Sequence, residues 1–192
     1  MNAIGDEGEF AAGFVARLVS GFVAWLTWPF RPSPLDLLKQ GNAEPYLMMR
    51  NITDAATGQA LVARWYRVGV VNRSHSDIDD VQVQAWRMNP PGFAGLPQVL
   101  HLMNDNPTPP APYQQSFTVA PGREPSRYVD VIVKVVNQPQ FQLQHITPGV
   151  SQHFPVGRYE LTLRASGRGA QSRLRKFVLD LDAIGELSFE RA

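Results

Sequence analysis

The hydrophobic pattern changes character near residue 30. Before that point, "FAAGFVARLVSGFVAWLTWPF" (10–30) is almost continuously apolar and holds one charge, Arg17. After residue 45, apolar and polar residues alternate with period two, the pattern of strands that bury one face. "ALVARWYRVGVVN" (60–72) sets Val62, Arg64, Tyr66, Val68 and Val70 on one face and Leu61, Ala63, Trp65, Arg67 and Val71 on the other. "DVQVQAW" (80–86) sets Val81, Val83 and Ala85 against Gln82 and Gln84. Further strands are predicted over 46–52, 98–103, 116–120, 127–136, 141–146, 158–165, 173–181 and 186–190. Gly, Pro and Asn punctuate them and no helical pattern intervenes, so the fold class is mainly β, an antiparallel sandwich.

As a helix, residues 10–30 would be about 31 Å long, close to the roughly 30 Å of a bilayer's hydrocarbon core. Trp25, Trp28 and Phe30 cluster at its downstream end, where interfacial aromatics anchor a span, and Pro29 ends it. The nine Phe, Leu and Val residues contribute about −4 kcal/mol of insertion free energy, and Arg17 opposes with about +2.5 to +3.5. Insertion of a lone helix is marginal. At 100° per residue, Gly13, Arg17, Ser20, Gly21, Ala24 and Thr27 form a stripe of small and hydroxylated side chains. Such a stripe lets helices pack closely in lipid, and an intramembrane arginine faces a bundle interior or a water-filled lumen. The segment is therefore expected to span the membrane as a homo-oligomer, and Arg17 lining a lumen would make it an ion channel. The competing expectations are a helix packed in a protein core and one lying on the membrane surface. Few polar residues oppose the apolar face, which disfavours the surface position.

The flanks refine this reading. "MNAIGDEGE" is acidic and lacks the positive n-region of a secretory signal. Arg31, Lys39 and Arg50 follow the apolar run, so the positive-inside rule places the downstream domain in the cytoplasm of a bacterial cell, at its inner membrane. "SPLDLLKQGN" (33–42) carries Ser33 as a cap, Pro34 at the first helical position, Asp36 and a closing Gly41, which predicts a short connector helix. The expected organisation is a hydrophobic helix over 1–31, a connector over 32–44 and a sandwich over 45–192.

"WYRVGVVNRSHSDIDDVQVQAW" (65–86) resembles the W-x-x-V-x-V-x-N-x-S hairpin of bacterial immunoglobulin-like and fibronectin-type sandwiches. "VGRYELTLRASGRG" (156–169) is similar to their G-x-Y-x-L-x-L-x-A-x-G strand. The resemblance implies an immunoglobulin-like fold with Tyr159 as a tyrosine corner, and it brings no catalytic residues. The absence of cysteine departs from antibody-type domains. A hydrophobic helix before a small sandwich also resembles, in layout, membrane effectors of bacterial antiviral defence.

Composition narrows the function classes. A net charge of +1 argues against nucleic acid as partner. His75, His101, His145 and His153 lack metal-ligand spacing, no nucleophile or phosphate-loop motif occurs, and no cofactor or enzymatic activity is expected. "SHSDIDD" (74–80) reads as a solvated hairpin tip. The basic stretch 165–177 offers Arg168, Arg173, Arg175 and Lys176 as contacts for an anionic ligand. The expected partners are the lipid bilayer, further copies of the chain, and a protein or small ligand on the sandwich. The alternative expectation is a soluble structural subunit of a phage particle or secretion machine, its apolar helix packed in an oligomer core. A third is an envelope-facing adhesion or chaperone-like sandwich of opposite orientation.

Overall fold

The computed structural model describes residues 33–54, 56–91, 96–100, 116–144 and 152–192, all within the unit Ser33–Ala192. The expected membrane helix, with Gly13, Arg17, Ser20, Gly21, Ala24, Thr27, Trp25, Trp28 and Phe30, lies outside the described residues. Among the described residues no helix is long and apolar enough to cross a membrane.

The strands are β1 (Leu35–Leu38), β2 (Leu47–Thr53), β3 (Ala60–Asn72), β4 (Ile78–Asn89), β5 (Gln98–Val99), β6 (Phe117–Val119), β7 (Arg127–Val135), β8 (Gln140–Leu143), β9 (His153–Pro155), β10 (Gly157–Gly167), β11 (Ala170–Gln171), β12 (Arg175–Leu181) and β13 (Leu187–Arg191). They form two antiparallel sheets. The six-stranded sheet runs β1-β3-β7-β8-β9, with β2 sharing the β3 edge. The seven-stranded sheet runs β13-β12-β10-β4-β5, with β11 on β10 and β6 on β4.

One core lies between the sheets. Tyr66, Val68, Val70, Val129, Val131 and Ile132 meet Val81, Val83, Ala85, Leu161, Leu163, Phe177 and Leu179, all buried. The Tyr66 hydroxyl crosses the core to donate to the Leu187 carbonyl at 3.0 Å. Phe141 and Phe154 stack at 5.1 Å, and Tyr159 meets Phe141 edge-on at 5.4 Å. The Tyr159 hydroxyl donates to the Pro155 carbonyl at 3.0 Å, tying the start of β10 back to β9. Tyr159→Phe is expected to cost about 1 kcal/mol, the net value of one such bond, measured as a shift in the urea midpoint at unchanged m-value.

The predicted connector helix is overturned. Residues 35–38 are strand β1, with Leu35 paired to Asn72 and Leu38 to Gly69. Leu35 and Leu37 are 1% and 0% exposed, so alternate residues reach the core while Asp36 turns to the other face. Burial of two leucines and a ladder on β3 outweigh a weak local capping signal. Ser33 caps nothing helical; its hydroxyl bonds the Leu35 carbonyl at 2.9 Å and also the Gln171 carbonyl.

The sheets differ on their outer faces. On the seven-stranded sheet Gln82, Gln84, Glu160, Arg164 and Lys176 alternate with core residues, and the Arg164 guanidinium lies 3.8 Å from the Trp86 ring centroid. In the six-stranded sheet the central strand β3 is buried on both faces over part of its length: Ala63, Trp65 and Val71 lie outside the core cluster, yet none is more than 7% exposed. Pro125 sits over Gly69, where a Cβ atom would be 2.5 Å from the proline ring.

Two lysines are desolvated. Lys134, 2% exposed, donates to the Val135 carbonyl at 3.1 Å, and burial pushes its pKa down. Lys39 lies over the Tyr46 and Phe189 rings at 5.5 and 5.7 Å. Burial lowers its pKa to about 8, against the opposing pull of Glu190. Below pH 8 both folded and unfolded states hold the Lys39 proton. Above it the unfolded chain binds more protons, up to the free lysine value of about 10.4, so stability rises with pH in that window. The urea midpoint is expected to be higher at pH 9.5 than at pH 7.5, and Lys39→Met should flatten the rise.

Candidate functional site

One end of the sandwich gathers four segments distant in sequence. The entering chain is tied to the β3–β4 connection by the Arg73 N–H, which donates to the Pro34 carbonyl at 2.6 Å. The β10–β11 turn joins them through the Arg168 N–H on the Asp79 carbonyl at 2.8 Å and a bridge between Leu35 and Ser172. The β6–β7 connection arrives through a bridge between Asn72 and Pro121.

Asn72 fastens two of these segments together. It ends β3, is 1% exposed, and its amide nitrogen donates to the Ser76 and Val119 carbonyls, both at 2.8 Å. Its side-chain oxygen accepts the Ser74 N–H at 2.9 Å and the Ser74 hydroxyl at 2.6 Å. Its backbone carbonyl accepts the Gly122 N–H at 2.8 Å. A buried amide whose bonds are all met fixes local geometry, because each alternative leaves a polar group unpaired.

Between these loops opens a cleft of about 650 Å³, lined by Arg73, Ser74, His75, Gly122 and Arg123. Among the described residues no carboxylate lines it. Arg123 and His75 are exposed, and among the described residues neither has an ion-pair partner. The Ser74 hydroxyl is engaged with Asn72 and the Ser76 carbonyl, so the donors turned to solvent are the Arg123 guanidinium, the part of the Arg73 guanidinium not on Asp36, and an imidazole. The chemistry these donors offer is capture of an anion.

Beside the cleft, Asp36 is buried with two arginines on it. Its Oδ1 accepts the Leu37 N–H at 2.9 Å and Arg175 Nε at 2.7 Å, and its Oδ2 accepts Arg73 Nη2 at 3.1 Å. One carboxylate against two guanidinium groups leaves a net positive charge.

The four cations selected from sequence are dispersed. Arg168 pairs with Asp80 at 2.8 Å, Arg175 with Asp36 at 2.7 Å, and Lys176 with Glu160 at 2.9 Å on the outer face of the sheet. Arg173 is exposed. Arg73 and Arg123 escaped notice because each is a single cation in its own loop. The expected hairpin tip holds Asp79 against the Thr118 hydroxyl at 2.8 Å. His153 lies on β9 against the Gln142 side chain, whereas His101 and His145 lie outside the described residues. Among the described residues no cluster of three His, Asp or Glu is placed to hold a metal. The chain matches no known family model, no curated protein and no solved structure.

Proposed function

We propose that this chain is a membrane-anchored, non-enzymatic, homo-oligomeric binding protein of the bacterial inner membrane, carrying an immunoglobulin-like sandwich on the cytoplasmic side. The observation that carries the reading is the apolar run Phe10–Phe30, separated by only Arg31 and Pro32 from the first described residue of the sandwich. The run supplies the span, and its stripe of Gly13, Arg17, Ser20, Gly21, Ala24 and Thr27 supplies the helix contacts. The immunoglobulin-like type is supported by β3 beside β7 in one sheet and β4, β10 and β12 side by side in the other, with Tyr159 hydrogen-bonded four residues upstream.

A ligand at the loop end would bias packing of the helices through the Pro29–Pro34 elbow, because the Arg73 backbone is bonded to Pro34. This is the mode of an effector that opens a pore when its sandwich is occupied. The test is carbonate extraction of membranes from expressing cells. The chain is expected to remain in the pellet; its release as soluble high-mass particles would replace this reading with that of an assembly subunit. In liposomes the protein should leak ions, and Arg17→Leu should alter the leak.

A further inference from the structure

We propose that the cleft between Arg73 and Arg123 binds a phosphate-bearing anion. Guanidinium groups are suited to phosphate because their paired N–H donors match two phosphate oxygens, and a cleft focuses their field. Arg73 reaches the site from the β3–β4 loop and Arg123 from the β6–β7 connection, and Asn72 bonds both loops. The loops that carry the cations are therefore tied together before a ligand arrives, which lowers the backbone ordering cost of binding. Gly122 adds no side chain between them, and a Cβ there would meet nothing closer than the Glu124 carbonyl at 3.6 Å. Of the acids on these segments, Asp79 is held by Thr118 and Asp80 by Arg168, and Asp77 is exposed; Asp36 is shared between Arg175 and the cleft's own Arg73, so two guanidinium groups meet one carboxylate there. Glu124, next in the chain to Arg123, is exposed and does not line the cleft.

Phosphate of this kind comes either from a lipid headgroup or from a soluble ligand.

The experiment titrates the full chain, held in dodecyl maltoside micelles, with inorganic pyrophosphate by calorimetry at low and high salt. Binding is expected, weakening as salt rises. Arg123→Glu should reduce affinity at least tenfold, and Arg123→Gln and Arg73→Gln should weaken it. Arg123 makes no ion pair among the described residues, so its variants should melt like the parent. Arg87→Gln, on an exposed arginine at the far end of β4, should bind as the parent does. Mixed micelles of phosphatidylglycerol that compete with pyrophosphate, where phosphatidylcholine does not, identify a lipid headgroup; absence of competition identifies a soluble phosphate. The proposal is overturned if neither pyrophosphate nor phosphatidylglycerol binds, or if both Arg123 variants bind as tightly as the parent. Detergent makes this readout independent of whether residues 10–30 enter a bilayer.

Discussion

Asn72→Leu is expected to lower stability by about 3–4 kcal/mol, far more than an ordinary polar substitution. Four side-chain hydrogen bonds are lost, each worth about 0.5–1.5 kcal/mol net, and the buried Val119 carbonyl is left without its amide donor. Leucine is close in size but offers nothing to either carbonyl. Asn72→Asp separates charge from shape. It keeps the acceptor for Ser74 and turns a carboxylate oxygen toward the Ser76 and Val119 carbonyls. That raises the pKa of the new carboxyl in the folded state, so its penalty is largest at neutral pH and shrinks as pH falls. Urea unfolding of both variants against the parent at pH 7 and pH 4.5 checks this. The gap should narrow on acidification for Asn72→Asp and persist for Asn72→Leu. Because Asn72 also bonds both loops of the cleft, pyrophosphate affinity should fall in both variants under conditions where they remain folded. A cost below about 1 kcal/mol would mean that the loops hold their shape without it.

Period-two alternation made the long strands legible. β3 spans Ala60–Asn72 as expected from sequence, and Val81, Val83 and Ala85 of β4 all reach the core. Strict alternation fails at bulges. In β7, Tyr66 pairs with Ile132 and Arg67 with Asp130, so Val131 is an extra residue and the phase flips beyond it. Lys134 is thereby carried to the buried face, where a regular pattern would have left it outside with Asp130. A second bulge, with Thr162 on Arg87 and Leu163 on Ala85, turns Met88 into the core.

Short strands were illegible for another reason. β1, β9 and β11 are held by neighbours instead of by their own propensity, and β1 even follows the helix-capping residues Ser33 and Pro34. The cleft was the hardest to see. The sequence drew attention to cations adjacent in the chain, and adjacency on a strand alternates side chains between faces. Arg175 accordingly turns to Asp36 while Lys176 turns to Glu160. Arg73 and Arg123 are brought to one cleft by loops that only the assembled sandwich joins.

Arg67→Met is expected to cost about 3–5 kcal/mol. Arg67 Nε lies 2.5 Å from Asp130 Oδ1, and the two side chains are 5% and 1% exposed. Each makes a further interaction as well. Removing the guanidinium takes the ion-pair partner from a desolvated carboxylate, which is the expensive half of breaking such a pair. Asp130→Asn keeps the shape and drops the charge, and a double-mutant cycle between the two should return a coupling of about 2 kcal/mol or more. A coupling below about 0.5 kcal/mol would show that the pair's attraction is cancelled by its surroundings. The position of the pair explains why a buried charge persists here at all. Arg67 and Asp130 face each other immediately beside the bulge at Val131, where β7 changes phase. A slip of one residue would send both charges toward the hydrophobic core, a penalty that apolar residues at these positions would not impose. Replacing both with apolar residues is therefore expected to recover much of the stability, while broadening the amide spectrum of β7 as alternative registers become accessible.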